Sequence, residues 1–139
     1  MAPGGERTVS VVIPVLNAAR FLPDLLRAIS RQKPAPPAEI LLIESGSTDG
    51  TPELARQSPL ARVIPIARFS HGGSRNLGIR EARGEFVVFL SQDALPENEQ
   101  WLERLLAPFG DGQVAAAFSR QVPRADATPM EKFFLETHF

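Results

Sequence analysis

The chain has 139 residues, with 15 Lys+Arg against 16 Asp+Glu for a formal net charge of -1, and it contains no cysteine. That length suits one domain able to bury a core without a covalent staple, and the balanced charge argues against nucleic acid or an anionic membrane surface as partner. Lack of cysteine excludes disulfides, thiolate metal sites and a cysteine nucleophile, and fits a reducing compartment.

Residues 1–7, MAPGGER, are polar and Gly-rich, and read as a loose leader, 1–7, rather than a signal peptide. No apolar run approaches the roughly 20 residues that span a bilayer, so a soluble chain is expected. Residues 8–15, TVSVVIPV, are apolar and β-branched, the pattern of a strand buried on both faces. Asn17 is placed to cap a following helix whose Leu22, Leu25, Leu26 and Ile29 form one apolar stripe. After the connector KPAPPA comes a second strand, EILLIE, at 39–44.

SGSTDG then forms a turn, and Thr51-Pro52 supplies an N-cap with proline at the first helical position. That short helix stops near Ser58-Pro59. A third strand is expected at 62–67, weakened by Pro65, and a helix at 74–83 with Gly84 as its stop. EFVVFL, 85–90, is the clearest strand, and a helix over 97–107 places Trp101, Leu102, Leu105 and Leu106 on one face. A last strand of small residues is expected at 113–118.

Thr128-Pro129-Met130-Glu131 is a capping box that opens a terminal helix bearing Met130, Phe133, Phe134 and Phe139. So aromatic a helix needs a partner. The reading favoured is the truncated start of a further region, and the same face is a candidate surface for pairing two copies. Strands alternating with helices predict an α/β fold, a three-layer sandwich with a mainly parallel Rossmann-like sheet.

In an open parallel sheet, ligands bind beyond the carboxyl ends of the strands. Those ends carry Pro14, Val15 and Asn17 after the first strand, and Glu44, Gly46 and Ser47 after the second. His71, Arg75 and Asn76 follow the third, and Ser91, Gln92 and Asp93 the fourth. Gly46, Gly72 and Gly73 allow close backbone approach, and Gly72-Gly73 before a helix leaves N–H groups for an anion. Arg75 offers a planar fork for phosphate oxygens. Asp93 is a hard oxygen ligand for Mg2+ or Mn2+, and Glu44 can accept from a ribose or a base N–H. Singly, each residue has a plainer reading: Glu44 a solvated strand end, His71 a turn residue, Arg75 a surface charge, Asn76 and Ser47 caps, Asp93 a turn aspartate. The common rim is what points to a nucleotide diphosphate with a metal.

VSVVIPVLNAARFLPDLLRAI, ILLIESGSTDGT and HGGSRNLGIREARGEFVVFLSQDALP together resemble the nucleotide-sugar half of family 2 glycosyltransferases of the GT-A fold, in order and spacing, over about residues 8–122. Within that family, His71-Gly72, Arg75-Asn76 and Gln92-Asp93-Ala94 resemble the bacterial rhamnosyltransferase-type branch. Two departures stand out. Glu44 replaces the usual aspartate after the second strand, and Ser91 replaces the first acid of the family's Asp-x-Asp, so that Asp93 alone remains as the metal ligand.

The resemblance implies a donor-binding domain at 8–122 and the start of an acceptor-side region at 123–139. It also implies inverting transfer of a sugar from a nucleotide-diphosphate donor to an acceptor hydroxyl, on a glycan or lipid-linked acceptor. Mg2+ or Mn2+ would sit on Asp93, and the catalytic base would lie beyond residue 139. Localisation is expected to be cytoplasmic, at the inner membrane face for a longer parent making cell-surface polysaccharide. Two other readings compete: a non-catalytic nucleotide-binding or interaction module derived from the same fold, and a nucleotidyltransferase. VIPVLNAAR lacks the Gly-rich basic loop that the last would need.

Overall fold

The structure is a computed structural model describing residues 7–138; the expected leader, apart from Arg7, and Phe139 lie outside the described residues. Strands β1 (Val9–Val15), β2 (Glu39–Glu44), β3 (Ala61–Pro65) and β4 (Phe86–Phe89) form one parallel sheet in the order β3-β2-β1-β4. Helices α1 (Leu22–Ser30), α2 (Thr51–Ala55) and α3 (His71–Glu81) make the crossovers, followed by α4 (Trp101–Leu106) and α5 (Pro129–His138). This is the expected α/β layout. Contacts divide the chain into a unit ending at Leu102 and a second, Glu103–Phe139.

β1 pairs in register with β2 on one edge, Val15 opposite Glu44, and with β4 on the other, Val12 opposite Phe89. Being central, it is buried on both faces, as a run apolar at every position but Ser10 requires. Val12, Leu41 and Ile43 face Ile64, Ile66, Leu77, Ala82 and Val87, the side covered by α3. Val11, Ile13, Val15, Ile40 and Leu42 are equally buried on the opposite face, where right-handed crossovers put α1 and α2. A Cβ at Gly78 of α3 would overlap the Val12 side chain, so this glycine sets how closely α3 lies on the sheet.

The amino-terminal edge of the sheet is closed by a polar network. Buried Ser10 donates to Glu39 Oε1 at 2.7 Å and accepts from Gly84 N–H at 2.8 Å. Arg83 N–H donates to the same carboxylate at 2.7 Å, and Arg62 bridges Glu39 and Glu81 at 3.3 and 3.0 Å. Burial pushes the Glu39 carboxyl up, but hydrogen bonds from Ser10, Arg83 and Arg62 outweigh it and hold the group below its ordinary value.

Several local expectations are corrected. Asn17 does not cap α1; Phe21 is the N-cap residue and has no side-chain cap, while Asn17 sits at φ 50° in the preceding loop. Gly50, not Thr51, is the N-cap of α2, at φ 87°. α3 starts at His71 rather than residue 74, because Ser70 accepts from Gly73 N–H at 2.9 Å and caps the helix early. The same bond means that Gly73 N–H is not left for an anion.

Gly84 is not the stop of α3, which ends at Glu81 with Ala82 as its C-cap. Residues 113–118 form no strand, and Phe118 is 92% exposed; an apolar run without a neighbouring strand cannot satisfy its backbone as sheet. In the second unit the capping box does form: Thr128 N–H donates to Glu131 Oε2 at 2.7 Å, and Glu131 N–H to Thr128 Oγ1 at 3.3 Å.

At Gly84 the constraint is space: a Cβ there would lie 2.5 Å from Ser10 N and 2.8 Å from Val9 C, both backbone atoms. Gly84→Ala is therefore expected to lower unfolding stability by about 1–3 kcal/mol, the usual range for overpacking. Denaturant titration of the pair measures it, and equal midpoints would show that the β1–β4 edge yields freely.

Candidate functional site

All four strands are parallel, so their carboxyl ends share one edge. Chain travel runs outward from β1 to β3 and then returns to the far side of β1 for β4. The reversal lies between β1 and β4, the position where open α/β sheets form a crevice.

The loop after β1 is held by side chains from two others. Leu16 N–H donates to Gln92 Oε1 at 2.9 Å, and Gln92 Nε2 donates to Leu16 O at 3.2 Å. Asn17 N–H donates to Ser47 Oγ at 2.9 Å, and Thr48 N–H to Asn17 Oδ1 at 2.9 Å. Ala18 N–H donates to Thr51 Oγ1 at 2.8 Å and Ala19 N–H to Asp49 Oδ2 at 2.9 Å. Thr51 is fully buried and donates its hydroxyl proton to Asp49 Oδ1 at 2.6 Å. Asp49 and Thr51 were read from the sequence only as turn and cap residues. Asp-Gly-Thr is a local turn signal, and nothing local reveals that its side chains serve a loop some thirty positions earlier.

Glu44 ends β2 opposite Val15, and its carboxylate accepts from Gly46 N–H at 3.0 Å and from Ser47 N–H. Burial pushes this carboxyl up, but hydrogen bonds from the Ser47 hydroxyl, Ser47 N–H and Gly46 N–H more than compensate and keep it ionised below the ordinary range. Gly46 sits at φ 94°, which the tight return of backbone onto that carboxylate requires. Ser45 donates its N–H and hydroxyl to Val15 O at 3.2 and 3.0 Å, tying the β1 and β2 exits together.

The Val15 side chain is buried in the core, so it does not face the rim; Pro14 is partly exposed within β1. His71 opens α3 and meets Phe69 edge-on at 5.0 Å between ring centroids. Arg75, one turn later, donates to His71 O at 3.0 Å, which draws its guanidinium back towards the helix start. Asn76 is exposed on the same helix. Ile66 N–H donates to Glu44 O at 2.8 Å, so the segment leading into α3 leaves directly from the β2 exit. Ser91, Gln92 and Asp93 lie in a turn after β4 that is closed by Ala94 N–H to Ser91 O at 3.1 Å.

Hydrogen bonds thus unite the exits of β1, β2 and β4, and α3 begins on the same edge. Among the described residues no group of three or more His, Cys, Asp or Glu converges on a cation position. Mg2+ and Mn2+ accept one or two protein carboxylates when phosphate oxygens complete the shell. The exposed Asp93 is a carboxylate of the kind that such a donor set uses.

Comparisons with known proteins agree with this geometry. The family model for glycosyl transferase family 2 matches residues 10–134. The O-antigen chain rhamnosyltransferase WbaN of Salmonella anatum is 38% identical over 125 residues, covering 87% of this chain and 39% of the relative. The mannosyltransferase PcManGT from Pyrobaculum calidifontis, solved in complex with GDP-Man and Mn2+, superposes with a TM-score of 0.66 at 28% identity, covering 76% of this chain and 34% of that one. Glucosyl-3-phosphoglycerate synthase from Mycobacterium tuberculosis, solved with Mn2+, uridine diphosphate and glucosyl-3-phosphoglycerate, gives 0.62 at 29% identity, covering 78% of this chain and 41% of that one. The chain spans about two fifths of the length of the curated rhamnosyltransferases it matches.

The Glu44 cradle has a pH signature. Its carboxyl is depressed below 4.5, so its stabilisation is complete above the unfolded value and lost as pH falls through the folded one. Glu44→Gln should be less stable than wild type by about 1 kcal/mol at neutral pH, the low end for a partly exposed charged acceptor. The gap should close as pH falls through the lowered folded value. Chemical denaturation across that window reads it, and a gap independent of pH would assign the loss to something other than ionisation.

Proposed function

Because the chain belongs to glycosyl transferase family 2, we propose that it forms the donor-binding part of an enzyme that transfers a sugar from a nucleoside diphosphate to an acceptor hydroxyl with inversion. What carries the reading is the hydrogen-bonded convergence of the β1, β2 and β4 exits beside the start of α3. On this reading residues 8–122 form the donor domain and 123–139 begin the acceptor side. The sugar is rhamnosyl or a related hexosyl group, as in WbaN. The acceptor is a glycan or a lipid-linked glycan reached from the cytoplasmic side, and the exposed face of α5 is available to pair two copies.

Each rim residue then has a task. The free lone pairs of Glu44 face the base or ribose, and the loops bearing Asn17 after β1 and Gly46 and Ser47 after β2 shape the wall around them, with Pro14 at the end of β1 beside them and the buried Val15 supporting it from the core. Arg75, held at the start of α3, opposes negative charge growing on the leaving diphosphate. His71 donates to a diphosphate or sugar oxygen, Asn76 stands beside it, and Ser91 offers an uncharged hydroxyl to the ribose. Asp93 holds Mg2+ or Mn2+, which when bound supplies Lewis-acid stabilisation of the departing phosphate. The base that deprotonates the acceptor belongs to residues beyond 139. A donor-holding module without catalysis is the second reading, favoured by Ser91 in place of an acid and by a terminal helix with Met130 78% exposed.

Titration calorimetry of the 139-residue chain with uridine and deoxythymidine diphosphates, with and without Mn2+, tests the site. Binding that tightens with Mn2+ is expected, and Asp93→Ala should abolish the tightening. In the intact enzyme the same substitution should lower turnover about 100-fold or more, as removal of one charge stabiliser does. Turnover within about threefold of wild type would remove Asp93 from this role. Binding of neither nucleotide under either condition would remove the donor site itself.

A further inference from the structure

The β1–β4 ladder stops short of the rim for a reason visible in β1. In an extended strand the N–H and C=O of one residue point the same way, and successive residues alternate edges. Val9 and Val15 carbonyls accept from Ala38 and Ser45 on the β2 side, whereas Val12 O accepts from Leu90 N–H on the β4 side at 3.1 Å. Pro14 and Leu16 therefore also address β4. Pro14 has no N–H to offer at the next rung, and β4 ends at Phe89. The strands part there, and Leu16 is left with a donor and an acceptor facing the gap.

Gln92 takes both, through Oε1 at 2.9 Å and Nε2 at 3.2 Å. A primary carboxamide carries the same donor–acceptor pair as a peptide unit, so the side chain stands in for the missing strand. Asparagine is one methylene shorter, and glutamate has no donor for Leu16 O. Gln92 and Asp93 are the two central residues of the turn closed by Ala94 N–H to Ser91 O. Pinning one corner residue sets the direction of the next Cα–Cβ bond.

We infer that Gln92 is a positioning residue rather than a donor ligand: its carboxamide replaces the β1–β4 ladder above Pro14 and holds the Asp93 turn in register with the other loops of the rim. The inference rests on the donor-site reading above and deepens it, because the bond it assigns sets the direction of Asp93, the carboxylate that reading gives to the cation.

Gln92→Met keeps the stem and bulk of the side chain and removes both hydrogen bonds; Gln92→Ala removes the stem as well. In the ligand-free 139-residue chain, amide hydrogen exchange at Leu16 and at Ala94 should rise about tenfold in both variants, with the chain still cooperatively folded. Calorimetry with uridine diphosphate should show the Mn2+-dependent gain in affinity falling about tenfold, while metal-free affinity shifts less than about twofold.

Unchanged exchange at Leu16, or faster exchange at Leu16 that spares Ala94, overturns the inference. So does an equal loss of affinity with and without Mn2+, which would place Gln92 on the nucleotide itself. If the wild-type chain binds no uridine diphosphate, the donor reading fails by itself. The clasp is then decided by exchange: faster at both amides supports it, and no change overturns it.

Discussion

Four successive backbone N–H groups, from Leu16 to Ala19, leave the end of β1 with no strand or helix to receive them, and each is accepted by a side chain from another loop. Gln92, Ser47, Thr51 and Asp49 are those acceptors. Of the four, the Ala18 bond is buried, and a buried amide left unpaired costs about 1–3 kcal/mol; the other three are exposed and fix the course of the segment rather than carry its stability. The dependence runs both ways. Thr48 N–H needs Asn17, and the turn after β4 needs Leu16. The rim is therefore one hydrogen-bonded object rather than a set of independent loops, and a ligand meeting it encounters walls already ordered.

The two edges of the sheet divide the work. At the amino-terminal edge Ser10, Glu39, Arg62 and Glu81 bind one another and the backbone of Arg83 and Gly84, and apart from the buried Arg62 Nε their polar groups are largely engaged internally. At the carboxyl edge polar groups are consumed only in part. Glu44 serves its own turn yet remains ionised and partly exposed, and Asp93 stands at an exposed turn. Between them, Gly78 lets α3 approach β1 closely, so its first turn, with His71 and Arg75, starts over the same edge. The turn after β4 carries one carboxylate, Asp93, and Ser91 and Gln92 complete it without charge.

The four strands and the helices between them were legible because each has a strong local signal. TVSVVIPV and EILLIE are mainly apolar runs of strand length, and the Leu22, Leu25, Leu26, Ile29 stripe has helical period. The errors fall where a local signal had a competitor at long range. Asn17 looks like a helix cap, but its carboxamide is engaged by Thr48 across the rim. Gly84 looks like a helix stop, yet it is small because Ser10 backbone lies against it. Residues 113–118 have strand composition and find no strand to pair with. The capping box at Thr128 involves only residues three apart, and it formed as read.

The order of the four strands, the edge that their exits share and the family itself were readable from sequence alone, because each strand has a strong local signal and parallel topology forces strand ends to one edge whatever the details of packing. Which rim residues stay open to a ligand and which are spent on holding loops depended on bonds spanning 30 to 76 positions, such as Asn17 to Ser47 and Leu16 to Gln92. A carboxamide or hydroxyl reads the same in sequence whether it meets a backbone amide or a phosphate. Only the fold, by bringing an unpaired N–H within 3 Å of it, decides which.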